Sequence, residues 1–196
     1  MNTLKNNSVI KKKFIGEGSY GCVYYPHIEC NNGQSYKNTI GKIFSSASEA
    51  ESEYKMYNKI MKLDPKSTFT LKLHGKCEID ITKRKNDLTN CNKFGFLNIL
   101  TNNNFTQLIY DHGGSDLFNF KEKFKSNSLD LILVSLLDLL NGLNILTKNN
   151  IVHADMKDDN IYHYLDHFQL KIFRTIQVNK NPVSYTHLTL PTKRIV

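Results

Sequence analysis

The sequence predicts an α+β fold, a β-rich N-terminal part with one helix followed by a mainly helical part. Three observations carry that expectation. β-prone runs flank a glycine cluster at 14–25 and return at 40–44. Residues 46–62, SASEAESEYKMYNKIMK, hold neither Gly nor Pro and read as a helix. Residues 129–146, LDLILVSLLDLLNGLNIL, form a second helix, apolar nearly all round.

The first element is a hairpin. Residues 16–23, GEGSYGCV, fit G-x-G-x-x-G-x-V. A dinucleotide-binding turn with similar glycines opens directly into a helix. Here Cys22, Val23, Tyr24 and Tyr25 follow, stopped by Pro26, and Phe14 and Ile15 precede. That order reads strand, glycine turn, strand. Gly16, Gly18 and Gly21 allow a backbone to approach phosphate oxygens without a Cβ clash. An ordinary glycine-rich hairpin is the plain alternative.

Lys42 comes next, in IGKIF at 40–44, an apolar setting that demands a partner for its charge. The following helix offers Glu49, Glu51 and Glu53, with Ser46 or Ser48 as N-cap. Tyr57, Ile60 and Met61 mark its buried face. Glu53 lies four residues before Tyr57 and shares that face, and Glu49 is also in register. The remaining glutamates suit a solvated first turn favoured by the helix dipole.

Residues 108–117, LIYDHGGSDL, read as a strand, a Gly-Gly turn and a helix start with Asp116 as N-cap. The helix at 129–146 should be buried on several sides; Asp130, Asp138, Asn141 and Asn144 and its short length argue against a membrane span. Ile151 and Val152 form a short strand leading into HADMKDDN at 153–160, which fits H-x-D-x-K-x-x-N. Phosphoryl transfer from ATP needs a carboxylate by the attacking hydroxyl, a cation on the migrating phosphate, and an amide oxygen on magnesium. Asp155, Lys157 and Asn160 have those chemistries at the required offsets.

From Phe14 to Ile172 the chain resembles the eukaryotic-type Ser/Thr protein kinases. The resemblance implies a protein-kinase-like two-lobed fold. Residues 1–111 would be the β-rich N-lobe, and 112–182 the hinge and an incomplete helical C-lobe. It implies transfer of the ATP γ-phosphate to protein hydroxyls, with ATP and Mg2+ as cofactors and a protein as substrate. Asp155 and Lys157 would be catalytic, and Asn160 would hold the metal. Ile15, Gly16, Gly18, Gly21, Val23, Lys42 and Glu53 would form the ATP site, and Asp116 would reach the ribose. Two departures stand out. No D-F-G or A-P-E occurs; Arg174 falls at or beside the expected metal-binding Asp, where a cation would repel magnesium. Ala154 stands where regulated members have Arg, so activation-loop phosphorylation should not act through that position. The alternative is therefore a pseudokinase, or a nucleotide- or protein-binding module without catalysis. A small-molecule phosphotransferase is more distant.

Composition agrees. The 196 residues carry a formal net charge of +8 with both signs scattered, and Lys11, Lys12 and Lys13 read as a solvated strand end. Nothing interleaves aromatic and basic residues, so neither nucleic acid nor membrane is an expected partner. Cys22, Cys30, Cys77 and Cys91 lack paired zinc spacing, and no signal peptide is visible, which points to free thiols in an intracellular setting. Asn-rich stretches such as 83–93 read as strand-joining loops. Residues 183–192, VSYTHLTLPT, can be back-translated into a string that resembles a transposase adapter of sequencing libraries. The segment 183–196 is therefore set aside as a non-biological tail.

Overall fold

The computed structural model describes residues 13–18, 20–80, 82, 90–92, 104–120, 129–153, 155–164, 169–172 and 176–178. Ala154, Arg174 and the tail at 183–196 lie outside them, as does most of the 83–93 loop.

The chain folds as α+β around an antiparallel sheet. Strands β1 (Lys13–Gly18), β2 (Gly21–Tyr25), β3 (Thr39–Phe44), β4 (Leu73–Asp80) and β5 (Asn104–Asp111) are ordered β1-β2-β3-β5-β4. The glycine motif turns one strand back on the other, with Gly18 opposite Gly21. Gly21 has a steric reason to be glycine, since a Cβ there would run into the Ile43 carbonyl of β3. Helix α1 (Ala47–Leu63) follows β3. Ser46 occupies its N-cap in an extended conformation, but its hydroxyl meets that of Ser48 at 2.8 Å and makes no capping bond. The expected side-chain cap is therefore not used.

Alternation along the strands builds two layers. On one face Cys22, Tyr24, Ile43, Cys77, Ile79 and Ile109 pack beneath the segment 26–38, which contributes Ile28 and Cys30. Buried Gln107 stitches that segment to β5, accepting from Ile28 N at 2.9 Å and donating to Ile28 O at 2.8 Å. Two disulfides close the layer, Cys22–Cys91 and Cys30–Cys77, with Cα separations of 6.1 and 5.8 Å. The expectation of free thiols is overturned. Residues far apart in sequence converge on this face at disulfide distance.

The opposite face carries α1. Ala50 and Tyr57 pack with Ile40, Phe44, Leu71, Leu108 and Tyr110, and Met61 is half-buried against them. The other side of α1, through Met56, Ile60 and Leu63, meets α3 (Leu129–Lys148). Between them β5 leads through 112–114 to the short strand β6 (Ser115–Asp116) and the helical turn α2 (Leu117–Phe120). Strands β7 (Ile151–His153), β8 (Ile161–Tyr164), β9 (Gln169–Ile172) and β10 (Ile176–Val178) complete the described chain. β8 pairs with β6 and β9, and β7 pairs with β10.

Helix α3 is buried along one stripe, not on several sides, among its described side chains. Leu139, Gly142 and Leu146 are enclosed, whereas Leu137, Leu140 and Ile145 are 57, 58 and 37% exposed. Gly142 is the contact point. A Cβ there would overlap the Phe69 ring, so glycine lets the 64–70 turn seat on the helix. That turn is organised by Asp64, 2% exposed at the C-terminus of α1. Its carboxylate accepts from the Thr68, Phe69 and Thr70 amides at 2.7, 3.0 and 2.9 Å, and from the Thr68 and Thr70 hydroxyls at 2.8 Å each.

Candidate active site

Register across the sheet places the first group. Gly16 lies opposite Val23, Val23 opposite Lys42, and Lys42 opposite Leu108. Residues directly opposite in antiparallel strands share a face. The row therefore runs along the α1 face, where Val23 and Leu108 pack. An irregularity between Phe14 and Gly16 puts Phe14 on the other layer and leaves Ile15 47% exposed. Among the described residues nothing lies within 4 Å of where a Gly16 Cβ would sit, so their packing does not require glycine there.

Lys42 is 4% exposed. Its Nζ lies 2.5 Å from Glu53 Oε2 and 4.6 Å from the Phe44 ring centroid. Of the three candidate glutamates, Glu53 takes the lysine. Glu51 instead faces Lys55 at 3.4 Å and Lys76 at 2.5 Å, and Glu49 sits in the first turn. The second oxygen of Glu53, Oε1, accepts from the Tyr110 hydroxyl at 2.9 Å. Tyr110 is fully buried, and its phenol is held well above the ordinary value by burial and then by the Glu53 charge. Its ring stacks edge-on to Tyr57 at 4.9 Å.

The second group lies in the loop from β7 to β8. A 3-10 turn, Asp158–Asn160, closes it, with Asn160 N donating to Lys157 O at 3.0 Å. Buried Asn160 donates through Nδ2 to Asp155 O at 2.7 Å and to Asp155 Oδ2 at 2.9 Å. These bonds fix the Asp155 carboxylate and leave the Asn160 oxygen, the atom a cation would take, unused by the contact. Lys157 is exposed, 3.5 Å from Asp159. His153 is buried with neither ring nitrogen hydrogen-bonded among the described residues, and burial lowers its pKa against a smaller opposing effect of Asp155.

Tyr162, two residues past Asn160 in sequence, packs into the cluster that holds Val23, Tyr57, Leu108 and Tyr110. Asp116, by contrast, caps α2. Its oxygens take the Asn119 amide at 2.7 Å and the Asn119 side chain at 2.8 Å, the plain reading of that residue.

Sequence reasoning missed Tyr110, Tyr162 and Asp64. An Asp followed by Thr at the fourth and sixth positions is a turn signal that could have exposed Asp64; nothing local marks the two tyrosines. Glu17, Cys22 and Cys91 bring three potential metal-ligand atoms within 4.8 Å of one another, but the two sulfurs are bonded to each other. No helix among the described residues is long and apolar enough to cross a membrane. No family model matches the chain, and no curated protein is significantly similar to it.

Proposed function

We propose that this chain carries the ATP-binding and catalytic-loop parts of a Ser/Thr-type protein kinase with a two-lobed fold. The activity is transfer of the ATP γ-phosphate to protein hydroxyls. The observation that carries the reading is the buried Lys42–Glu53 pair, on the same sheet face as Gly16 and Val23. A buried lysine held by a helix carboxylate beside a glycine hairpin suits phosphate positioning. Gly16, Gly18 and Gly21 would let the hairpin backbone approach the phosphates. Ile15 and Val23 would border the base, and Lys42 would bind the phosphates.

Asp155 would accept the hydroxyl proton of the protein substrate, and Lys157 would steady the migrating phosphoryl group. Asn160, whose side-chain oxygen is not used in its bonds to the Asp155 carboxylate and carbonyl, fits one side of a Mg2+ site. That ion keeps several waters and takes one or two carboxylates plus substrate phosphates. When bound, it would neutralise charge developing between the phosphates.

A second reading is favoured by one observation. Where D-F-G is expected, the sequence between β9 and β10 reads Phe173, Arg174, Thr175. On that reading the protein binds nucleotide or a protein partner without catalysis.

The test is titration of the purified chain with MgATP by calorimetry. Binding is expected, weakened about tenfold or more by Lys42→Met and preserved in Asp155→Ala. Absence of binding rejects both nucleotide readings. In a variant with D-F-G introduced at 173–175, Asp155→Ala should cost about 10²–10⁴ in rate if the catalytic reading holds. Phosphoryl transfer insensitive to Asp155→Ala would remove that residue from catalysis.

A further inference from the structure

The Lys42–Glu53 pair does not stand alone. Among the described residues both Glu53 oxygens are engaged, Oε2 by the Lys42 ammonium at 2.5 Å and Oε1 by the Tyr110 hydroxyl at 2.9 Å. The partners come from neighbouring strands, β3 and β5, while Glu53 comes from α1. Tyr110 is fully buried, so its hydroxyl is oriented by the ring packing against Tyr57 and by this bond, not by solvent. A phenylalanine would fill the same space. What the hydroxyl adds is a charge-assisted hydrogen bond to one carboxylate oxygen, which fixes the rotamer that aims the other at Lys42.

From this we infer that Tyr110 is a positioning residue. It holds Glu53, and with it α1, in the lysine-pairing orientation, so the nucleotide site is assembled without an external trigger. The inference rests on the proposed nucleotide role of Lys42. Kinase activation is commonly exerted through the placement of this helix. A helix pinned to two strands by one buried carboxylate has its engaged position built in. The phenol remains protonated, and therefore a donor, because burial and the Glu53 charge both disfavour its ionised form.

Tyr110→Phe tests this with two readouts. The 1H–15N signal of the Lys42 ammonium, visible only while the group is held in a long-lived ion pair, should broaden or vanish in the variant. MgATP affinity should fall about tenfold, the scale of one hydrogen bond to a charged group. In a Glu53→Gln background the same change should have no further effect on either readout, because Tyr110 acts through the carboxylate. An unchanged Lys42 signal in Tyr110→Phe, or an equal loss of affinity in the Glu53→Gln background, overturns the inference. If the wild-type chain binds no MgATP while the Lys42 signal still depends on Tyr110, the positioning role stands and the nucleotide reading falls.

Discussion

Asp64→Ala is expected to be the most damaging single change among the described residues outside the candidate site. The Asp64 carboxylate accepts five hydrogen bonds, from the amides of Thr68, Phe69 and Thr70 and the hydroxyls of Thr68 and Thr70. Phe69 and Thr70 are 2% and 1% exposed, so water cannot replace the lost acceptor for their amides. A buried donor left unsatisfied costs about 1–3 kcal/mol. Two of them give about 2–6 kcal/mol, a large part of the 5–15 kcal/mol typical of a folded domain. The Thr68 groups are more exposed and add little. The damage is not local, because the turn presents Phe69 to Gly142 of α3 and Leu71 to the α1 face of the sheet. Urea unfolding followed by circular dichroism measures it. With a slope of about 2 kcal/mol/M, the midpoint should drop by about 1–3 M. Asp64→Asn retains one acceptor oxygen and should fall between. A midpoint shift below about 0.5 M for Asp64→Ala would refute the reasoning, since it would mean that the Phe69 and Thr70 amides find other acceptors.

Three further outcomes are expected. Gly142→Ala should destabilise by about 1–3 kcal/mol by overpacking, despite a helix-propensity gain of about 1 kcal/mol, because the new methyl meets the Phe69 ring; a raised Tm would contradict it. Complete reduction of Cys22–Cys91 and Cys30–Cys77, with sequence separations of 69 and 47, should cost about 2–4 kcal/mol per bridge; four titratable thiols in the unreduced, denatured chain would remove the bridges altogether. His153 and His112 are both held below the ordinary imidazole pKa by burial, so the folded state resists their protonation while the unfolded chain does not. Stability should be fully present above the unfolded pKa of about 6.5 and decline as pH falls from there toward the folded values. Tm measured from pH 8 to 5 should show that decline, with a shallower slope in His153→Gln; equal slopes would clear His153 of the effect.

The hairpin at 14–25, the helix after Lys42 and the 153–160 loop were legible because each is a local matter. Glycine spacing, helix periodicity and fixed offsets in a short loop depend on neighbours within a few residues. Helical register with Tyr57 narrowed the partner of Lys42 to Glu53 or Glu49, and the structure selects Glu53. Where the contact spans many residues, composition was silent. Cys22 meets Cys91, Tyr110 meets Glu53, and Tyr162 joins the α1 face only because the chain closes back on itself. The thiols were misjudged on this account, and so was α3. Its apolar sequence announced burial on several sides, but which side is covered depends on what packs there, and among the described side chains Phe69, Met56 and Ile60 reach one stripe. Sequence determined the α+β class and the chemistry placed in each loop, because local backbone preference and side-chain type are properties of the residues themselves. Tertiary structure alone decided which of those groups meet, because distance between residues remote in the chain is set by the packing of whole elements.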